Sequence, residues 1–588
     1  MKPTFNIILL ILAAITLSAQ KYDYNWYTGY RFREDTLQPD FGITHWDFNT
    51  TSLNPKFSYD TFKHIDFGRT INNMSDYDGN FLFSYNGGYL ENYNNNPIPN
   101  GRLTIEDPFE VFNQLAVILP SPLNKDEYNL FYKVYYSNGI FAASTEIFSS
   151  KVFIDKNKEG KIINFAKKLF IDTLQLVGVN AIKHSNGKDC WIVDSGNFNT
   201  NYYSILVRDQ NILKIVKGFT PLFFKNYINQ TVFSADGKYF ATSSIYPHVD
   251  STKCHVSLFH FDRATGIISK PKYFFFDFKY AYQMLGVAFS PNSKFLYISR
   301  LDDIIQVDLT DSTLPVEQVA VYDGYIDGPI RGFYIHSVFG MMQIAPDGRI
   351  YGTNSGAQQR KLFYINKPNL KGKACDVRQH AINITMHGNL PTFPNYRLGP
   401  IDGSPSDSLG IDNIPVAEFR YDQDTINYHS IDFTNLSWYE PEEFWWDWGD
   451  GSQPYYTTVW DTSIIHTYAK DGIYEVCLRA KNKNGESTKC KKINIGTTAT
   501  KDEADNPLID ITLSPNPMRE ILIIQVNDYL PEKMVMNLYD LQGNKIITKR
   551  LYEGSNIINT ESLSSGVYVA EIIERNRIIK SEKIVKLD

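Results

Sequence analysis

A turn motif that returns at a nearly fixed interval constrains this chain more than any other feature of its sequence. Phe233-Ser234-Ala235-Asp236-Gly237-Lys238-Tyr239-Phe240 is followed by Phe289-Ser290-Pro291-Asn292-Ser293-Lys294-Phe295-Leu296, and then by Ile344-Ala345-Pro346-Asp347-Gly348-Arg349-Ile350-Tyr351. The turn centres Gly237, Ser293 and Gly348 are 56 and 55 residues apart, and weaker copies sit at 75–80 and 184–189, the latter with Gly187 50 residues before Gly237. Each copy puts a Gly or a small polar residue where a tight hairpin needs positive φ, between two apolar runs. Second halves agree: 256–261 leads into Asp262-Arg263-Ala264-Thr265-Gly266, and 304–309 and 362–366 take the same place in the next two units. A period near 50 residues holding roughly four short strands is that of a β-propeller blade, because solenoid repeats are shorter and show helical or Leu-rich periodicity. Residues 21–398 hold about seven such units, with six or eight open, and closing the ring removes the exposed edges an open array would leave.

Composition supports an all-β chain. Aromatic residues make up 14% of the 588 residues, and they favour strands and broad packed surfaces. The formal charge of −7 gives no electrostatic reason to expect nucleic acid as a partner. At roughly 100–200 residues per domain the length implies several modules. After the repeats, 399–415 is rich in turn formers without apolar periodicity and reads as a linker. Residues 416–495 carry strand-like runs broken by turns, a sandwich of Ig size. A second polar stretch, 496–506, precedes a last block of the same texture at 507–588. The expected fold is therefore an N-terminal propeller of about seven blades followed by two Ig-like sandwiches.

The first 19 residues run in the order of a secretory signal: Lys2, an apolar stretch 5–17, then small residues, with cleavage between Ala19 and Gln20. That apolar stretch is about 13 residues, short of the roughly 20 that span a bilayer, and no later charge-free run is long enough, so no integral membrane segment is expected. Five cysteines, at 190, 254, 375, 477 and 490, cannot all pair within one chain. Cys477 and Cys490 flank Asn482-Lys483-Asn484-Gly485. A turn centred on Lys483-Asn484 puts them directly opposite, as a disulfide needs, whereas a turn one residue later leaves them diagonal, roughly 7–8 Å apart and too far for a good bridge. The states of Cys190, Cys254 and Cys375 stay open, with small buried apolar residues as the plain reading.

Three resemblances follow from particular motifs. The middle block resembles a PKD domain through Trp446-Asp447-Trp448-Gly449-Asp450-Gly451-Ser452, His466-Thr467-Tyr468, Gly472-Ile473-Tyr474-Glu475-Val476 and Asn482-Lys483-Asn484-Gly485. The last block resembles the type A C-terminal sorting domain of the Bacteroidetes type IX secretion system. It has Leu513-Ser514-Pro515-Asn516-Pro517 at its start, Met536-Asn537-Leu538-Tyr539-Asp540 in the middle, Gly566-Val567-Tyr568 later, and an end that includes Lys583 and Lys586. This likeness implies the secretion machinery as a partner, passage through the outer membrane, and then attachment to the surface or release. The repeats resemble the YVTN and WD40-like class. Their tail, Pro394-Asn395-Tyr396-Arg397-Leu398-Gly399-Pro400, is similar to a group of Bacteroidetes proteins in which a propeller precedes PKD and sorting modules. Those relatives often carry a Cys where this chain has Ser406, which would make Cys375 the orphan of a lost bridge.

Fold alone does not choose among hydrolases, lyases and scaffolds. His248, His255 and His260 are too irregularly spaced for a metal site, and Asp78, Asp236 and Asp347 recur in turns, where aspartates cap backbone donors. Asp447 and Asp450 are oxygen donors of calcium type, yet such a site wants six to eight ligands and turn capping is the commoner use. A catalytic site would be expected to break the repeat, and residues such as Arg331 or His336, in the insert after Asp327-Gly328-Pro329, are candidates of that kind. No nucleophile elbow, zincin helix or phosphate loop is present. The tripeptides at 35–37 and 407–409 resemble the O-glycosylation acceptor of Bacteroidetes envelope proteins, with Ser408 in an exposed linker. The sequence therefore points to a secreted or surface-attached binding and adhesion protein without a cofactor, its propeller recognising a glycan or protein and its PKD module a spacer. The second hypothesis is an extracellular propeller hydrolase or lyase acting on a polymer or lactone.

Overall fold

In the computed structural model the repeated turns adopt the backbone their sequence calls for. Gly79, Gly187, Gly237, Ser293 and Gly348 all have positive φ, between 58° and 92°. In the central copy Gly237 N–H donates to Ser234 O, and Asp236 Oδ1 accepts from the Lys238 N–H at 3.1 Å. Asn292 and Asp347 cap Lys294 and Arg349 in the same way. In the copy at 75–80 Asp76 also caps, its Oδ1 accepting from the N–H groups of Asp78 and Asn80. The acidic side chain stands two positions earlier there, where Ser234 stands in the central copy, and it still reaches the turn donors.

The structure describes residues 20–30, 41–50, 55–60, 63, 65–103, 114–137, 142–174, 178–196, 201–219, 228–247, 252–278, 285–330, 333–354, 359–409, 411–424, 427–460, 463–496, 510–527, 534–540, 543–552, 554–574 and 577–587. The expected signal at 1–19, with Ala19 at its end, lies outside the described residues, as do His248, Arg331 and the tripeptide at 35–37. Among the described residues the secondary structure is strand throughout except for a 3-10 turn, Gly372–Cys375.

Up to residue 387, antiparallel sheets follow one another, each built from consecutive strands. The first has three (Asn25–Tyr30, Gly42–Asp47, Lys56–Asp60), and the second has four (Asn72–Ser75, Phe81–Tyr85, Tyr89–Asn92, Pro97–Arg102). Five more four-stranded sheets open with Ala116–Pro120, Asn180–Lys183, Ile228–Phe233, Gly286–Phe289 and Phe339–Ile344, and a separate hairpin, Ile326–Ile330 with Phe333–His336, precedes the last of them. The opening strands are neighbours around an axis. The ring closes where Val377–His387 packs on Asn25–Tyr30 and Gly42–Asp47, with Thr44 Oγ1 2.7 Å from Thr385 Oγ1. This is a β-propeller. Its core lies between the sheets, where Trp26, Trp46, Phe83, Phe131 and Tyr351 are buried, while an outer strand such as Asn211–Phe219 alternates toward solvent.

Opening strands have one edge without a strand partner, buried near the axis, where an unmade backbone hydrogen bond costs about 1–3 kcal/mol. Amide side chains meet that need because each carries both a donor and an acceptor. Gln230 Oε1 accepts from the N–H of Val287 (3.0 Å) and of Met342 (3.3 Å), bridging three sheets. Gln114 pairs with both the N–H and the C=O of Thr231, Asn180 donates to the same carbonyl, and Asn73 accepts from Tyr27 N–H. Asn72 donates to Ala116 O and to Thr392 O, which ties the segment after the last sheet to the ring.

Residues from 416 form a sandwich of a three-stranded sheet (Phe419–Gln423, Ser430–Asn435, Ser463–Thr467) on a four-stranded one (Tyr455–Thr457, Glu443–Asp447, Gly472–Asn482, Gly485–Ile495). Trp446 and Trp448 stack at 5.7 Å in its core beside Phe419, Phe433 and Tyr468. Asn482 pairs with Gly485, so the turn is Lys483-Asn484, and Cys477 and Cys490 are directly opposite and joined by a disulfide. A second sandwich begins at Asp510–Ser514 and ends with Arg577–Lys586.

The first sandwich is docked on the propeller. Arg349, in the last repeated turn, donates to Asp422 Oδ1 at 2.6 Å, to Asp347 Oδ2 at 3.1 Å and to Asn366 Oδ1 at 2.8 Å. Arg420 donates back to Asp347 O and Asn366 O, Lys367 pairs with Asp432, and Leu436 lies against Gly348. Charged groups that a free module would leave in water are buried in pairs across the junction.

Candidate functional site

The turns that organise the repeat also build the wall of a cavity of about 360 Å³. Phe233 and Asp236, Phe289 and Ser293, and Met342 to Gly348 come from the last three sheets, Thr392 to Gly399 from the segment after them, and Leu436 to Pro441 with Trp460 from the sandwich. Such a volume is within the range of small-ligand sites. Its walls are mainly apolar and aromatic: Phe233, Phe289, Phe393, Trp438, Tyr439 and Trp460 all line it.

The sandwich contributes a loop held in an uncommon shape. Tyr439 and Glu440 both have left-handed backbone, φ 66° and 53°, which side-chain-bearing residues adopt only when their surroundings over-determine it. The clamp is Asn482, whose Nδ2 donates to Tyr439 O, Glu440 O and Asn413 O. Trp460 Nε1 donates to Ser437 O at 2.8 Å, fixing the other side of the loop.

Charged groups in the wall are mostly committed. Asp23 and Arg397 form a bidentate pair, one bond at 2.9 Å, and the Arg397 guanidinium lies 5.5 Å from the ring centres of both Tyr24 and Trp438. Burial is the largest single effect and opposes the charge on Arg397, but Asp23, together with Tyr24 and Tyr439, holds the guanidinium's pKa above its usual value. Asp236 is engaged in its turn with Ser234 Oγ and Lys238 N–H. Glu440 differs: burial, then the neighbouring Asp402, raises its carboxyl pKa. The wall thus offers flat apolar faces and one carboxylate of raised pKa, a chemistry suited to holding a ligand.

The residues singled out by sequence are spread widely. His255 and His260 belong to the strand Thr252–Phe261. His255 is buried against the Phe275 ring, and burial pushes its pKa down to about 4. His260 lies against Tyr239 and is lowered in the same direction. His336 sits in the extra hairpin with Tyr322 Oη 3.2 Å from its Nδ1. Asp450 accepts from Ser452 and from His466, and Asp447 from Gly449 N–H, both as turn caps. Among the described residues no three His, Cys, Asp or Glu side chains are grouped as a metal would require. Cys375 is buried, and burial raises its thiol pKa to about 12; Cys190 is raised likewise, to about 11. Side-chain surroundings of Cys254 lie outside the described residues. Ser406 and Ser408 are in the linker, where Ser408 is exposed.

Motif residues of the last module meet at one edge. Asn516 Nδ2 donates to Lys583 O at 2.8 Å and its Oδ1 accepts from Val585 N–H at 3.0 Å, so the segment holding Pro515 and Pro517 clasps the final strand. Gly566 pairs with Lys586 across the neighbouring ladder, and Tyr568 Oη donates to Ser564 O. Sequence reading missed Trp438, Tyr439, Glu440 and Trp460, because nothing local marks them as neighbours of turns more than 80 residues earlier.

Residues 413–496 match the PKD domain family, and residues 512–587 match the secretion system C-terminal sorting domain. The chain is therefore a substrate of the type IX secretion system, exported to the cell surface or the extracellular space. No helix among the described residues is long and apolar enough to cross a membrane. No curated protein matches the sequence. Among solved structures, PorZ, a surface component of the type IX secretion system of Porphyromonas gingivalis, is 9% identical, with 96% of this chain and 100% of that chain covered and a TM-score of 0.17. A candidate 6-phosphogluconolactonase from Bacteroides uniformis is 11% identical over 78% of this chain and 100% of that one, at a TM-score of 0.27. Sqt1 from Chaetomium thermophilum is 10% identical over 81% and 97%, at 0.26. At these scores the likenesses carry no functional weight.

Proposed function

We propose that this type IX substrate is a recognition protein, non-enzymatic, that captures a glycan or protein ligand at the surface or outside the cell. In this reading a signal, 1–19, is removed after Ala19. The propeller takes 21–398, linkers run at 399–415 and 496–506, the PKD domain takes 416–495, and the sorting domain takes 507–588. The recognition site is the cavity roofed by the PKD loop. The observation that supports it is the wall itself: aromatic faces from two modules converge there, while Asp23, Arg397 and Asp236 are tied to partners inside the protein. Aromatic faces hold sugars and apolar side chains by area and geometry without needing a reactive group.

The test is binding of the secreted protein to an array of extracellular glycans and host-surface proteins, repeated with Trp438→Ala and Phe289→Ala. Capture that is lost in both variants, with no change in the ligand's mass, supports the reading. Cleavage of an array ligand that persists in both variants would sink it.

A further inference from the structure

The insert that breaks the repeat is the hairpin Ile326–Ile330 with Phe333–His336, between the strands Val316–Val321 and Phe339–Ile344. It lies at the end of the ring opposite the repeated turns, because each opening strand runs from that end toward its turn, and the PKD domain is docked on the turns. A lone hairpin is marginal in water, and the inner side of this one supplies its support. Buried Asp327 accepts from Arg360 at 2.8 and 3.2 Å, and Ile335 packs with Tyr30, Phe41 and Met386. Successive residues of a strand face opposite ways, so the pairing of Ile326 with His336 puts Ile326, Tyr334 and His336 together on the outer side. All three are exposed, Tyr334 at 69% and Ile326 at 45%.

Further rings extend this outer face. Tyr322 Oη lies 3.2 Å from His336 Nδ1 and donates to Tyr325 O, and the Tyr325 ring stacks on His380 at 4.2 Å. A bulge in Val377–His387 presents His380: between the pairs Leu362–Ile382 and Tyr364–Arg378, Phe363 stands opposite residues 379–381. His380 there has left-handed backbone, φ 36°, a strained conformation that concentrates at ligand-holding sites. Asp323 fixes its imidazole, Oδ2 accepting from Nε2 at 2.8 Å.

We propose that this face is a platform for a neutral polysaccharide, with Tyr334, His336, Tyr325 and His380 as its stacking surface. Its acids are matched, Asp327 by Arg360 and Asp323 by His380, so rings edged with hydroxyl and imidazole groups dominate it in place of charge. A sugar ring lays a face of C–H groups on an aromatic plane and turns its rim of hydroxyls toward such edges. Protein-binding hot spots add an available Arg to their aromatic anchors, and here Arg360 is tied to Asp327 on the inner side. The platform shares none of the lining residues of the aromatic cavity.

Affinity electrophoresis of the secreted protein in gels containing hydroxyethylcellulose, laminarin, galactomannan or arabinoxylan tests this, with dextran sulfate as an anionic probe and gelatin as a protein probe. Retardation by at least one neutral polysaccharide should weaken roughly fivefold or more in Tyr334→Ala and in His380→Gly. It should stay within about twofold in Phe219→Ala, which removes an exposed ring elsewhere on the propeller. Tyr334 is on the surface and glycine suits the φ of His380, so both variants are expected to fold, as near-ultraviolet circular dichroism checks. Failure of every neutral polysaccharide to retard the protein, unchanged retardation in either variant, or retardation lost in Phe289→Ala instead overturns the proposal. The last of these assigns the glycan to the cavity and leaves that reading intact. Binding of gelatin or dextran sulfate alone, lost in Tyr334→Ala, also overturns it and gives the face to a protein or an anionic partner.

Discussion

Replacing Asp422 by Ala should loosen the PKD domain from the propeller without unfolding either. The side chains of Arg349 and Arg420 are 3% and 4% exposed, and Asp422 lies against both, 2.6 Å from Arg349 Nη2 and 3.2 Å from Arg420 Nε. Without it the two guanidiniums keep Asp347 as their formal counter-charge, and they repel each other, as the lowered pKa of Arg420 records after the larger effect of burial. Breaking a fully buried pair costs about 3–5 kcal/mol, and because Asp422 itself is 22% exposed, about 2–3 kcal/mol is the better figure. At 1.4 kcal/mol per tenfold, undocking should become roughly 30- to 140-fold more frequent. Hydrogen–deuterium exchange reads this directly at 345–349 and 436–441, which cover each other, while core strands such as Phe295–Ser299 should exchange as before. Exchange within twofold of the parent at both segments would mean that the charged contacts do not hold the modules together, and the docked arrangement would then need another cause.

Other outcomes follow from single features. Cys477→Ser with Cys490→Ser removes a bridge of sequence separation 13, which chain entropy values at about 3 kcal/mol; thermal melts of the PKD transition, oxidised against variant, should show the loss. His255, depressed to about 4 by burial from 6.5, contributes stability that is complete above pH 6.5 and is lost as pH falls from there toward 4, worth about 3 kcal/mol. His255→Phe should flatten urea midpoints across that window, and an unchanged slope would refute the assignment. Asn516→Ala removes both bonds to the final strand, about 1 kcal/mol at an exposed site, and should lower the secreted fraction more than it lowers the folded fraction if the clasp is what the machinery reads.

Much of the fold was legible because it is local. The hairpin turns need only neighbours in sequence, and Gly237, Ser293 and Gly348 carry the conformation themselves. The copy at 75–80 is a local case too: two carboxylates stand two positions apart, and geometry shows Asp76 accepting from the N–H groups of Asp78 and Asn80. The choice between two turn centres at Lys483-Asn484, hence the facing of Cys477 and Cys490, was open for the same reason.

The sequence by itself determined the all-β class, the repeat, the two C-terminal modules and the export route, since each rests on short motifs whose physical demands are met within a strand and a turn. Tertiary structure alone decided how the modules meet. Arg349 finds Asp422 across 73 residues, and Asn482 clamps the Tyr439 loop from another hairpin. The aromatic cavity draws on three sheets, a tail and a sandwich. Such sites depend on which surfaces come together when the ring closes and the PKD domain docks, and no spacing along the chain encodes that arrangement in readable form.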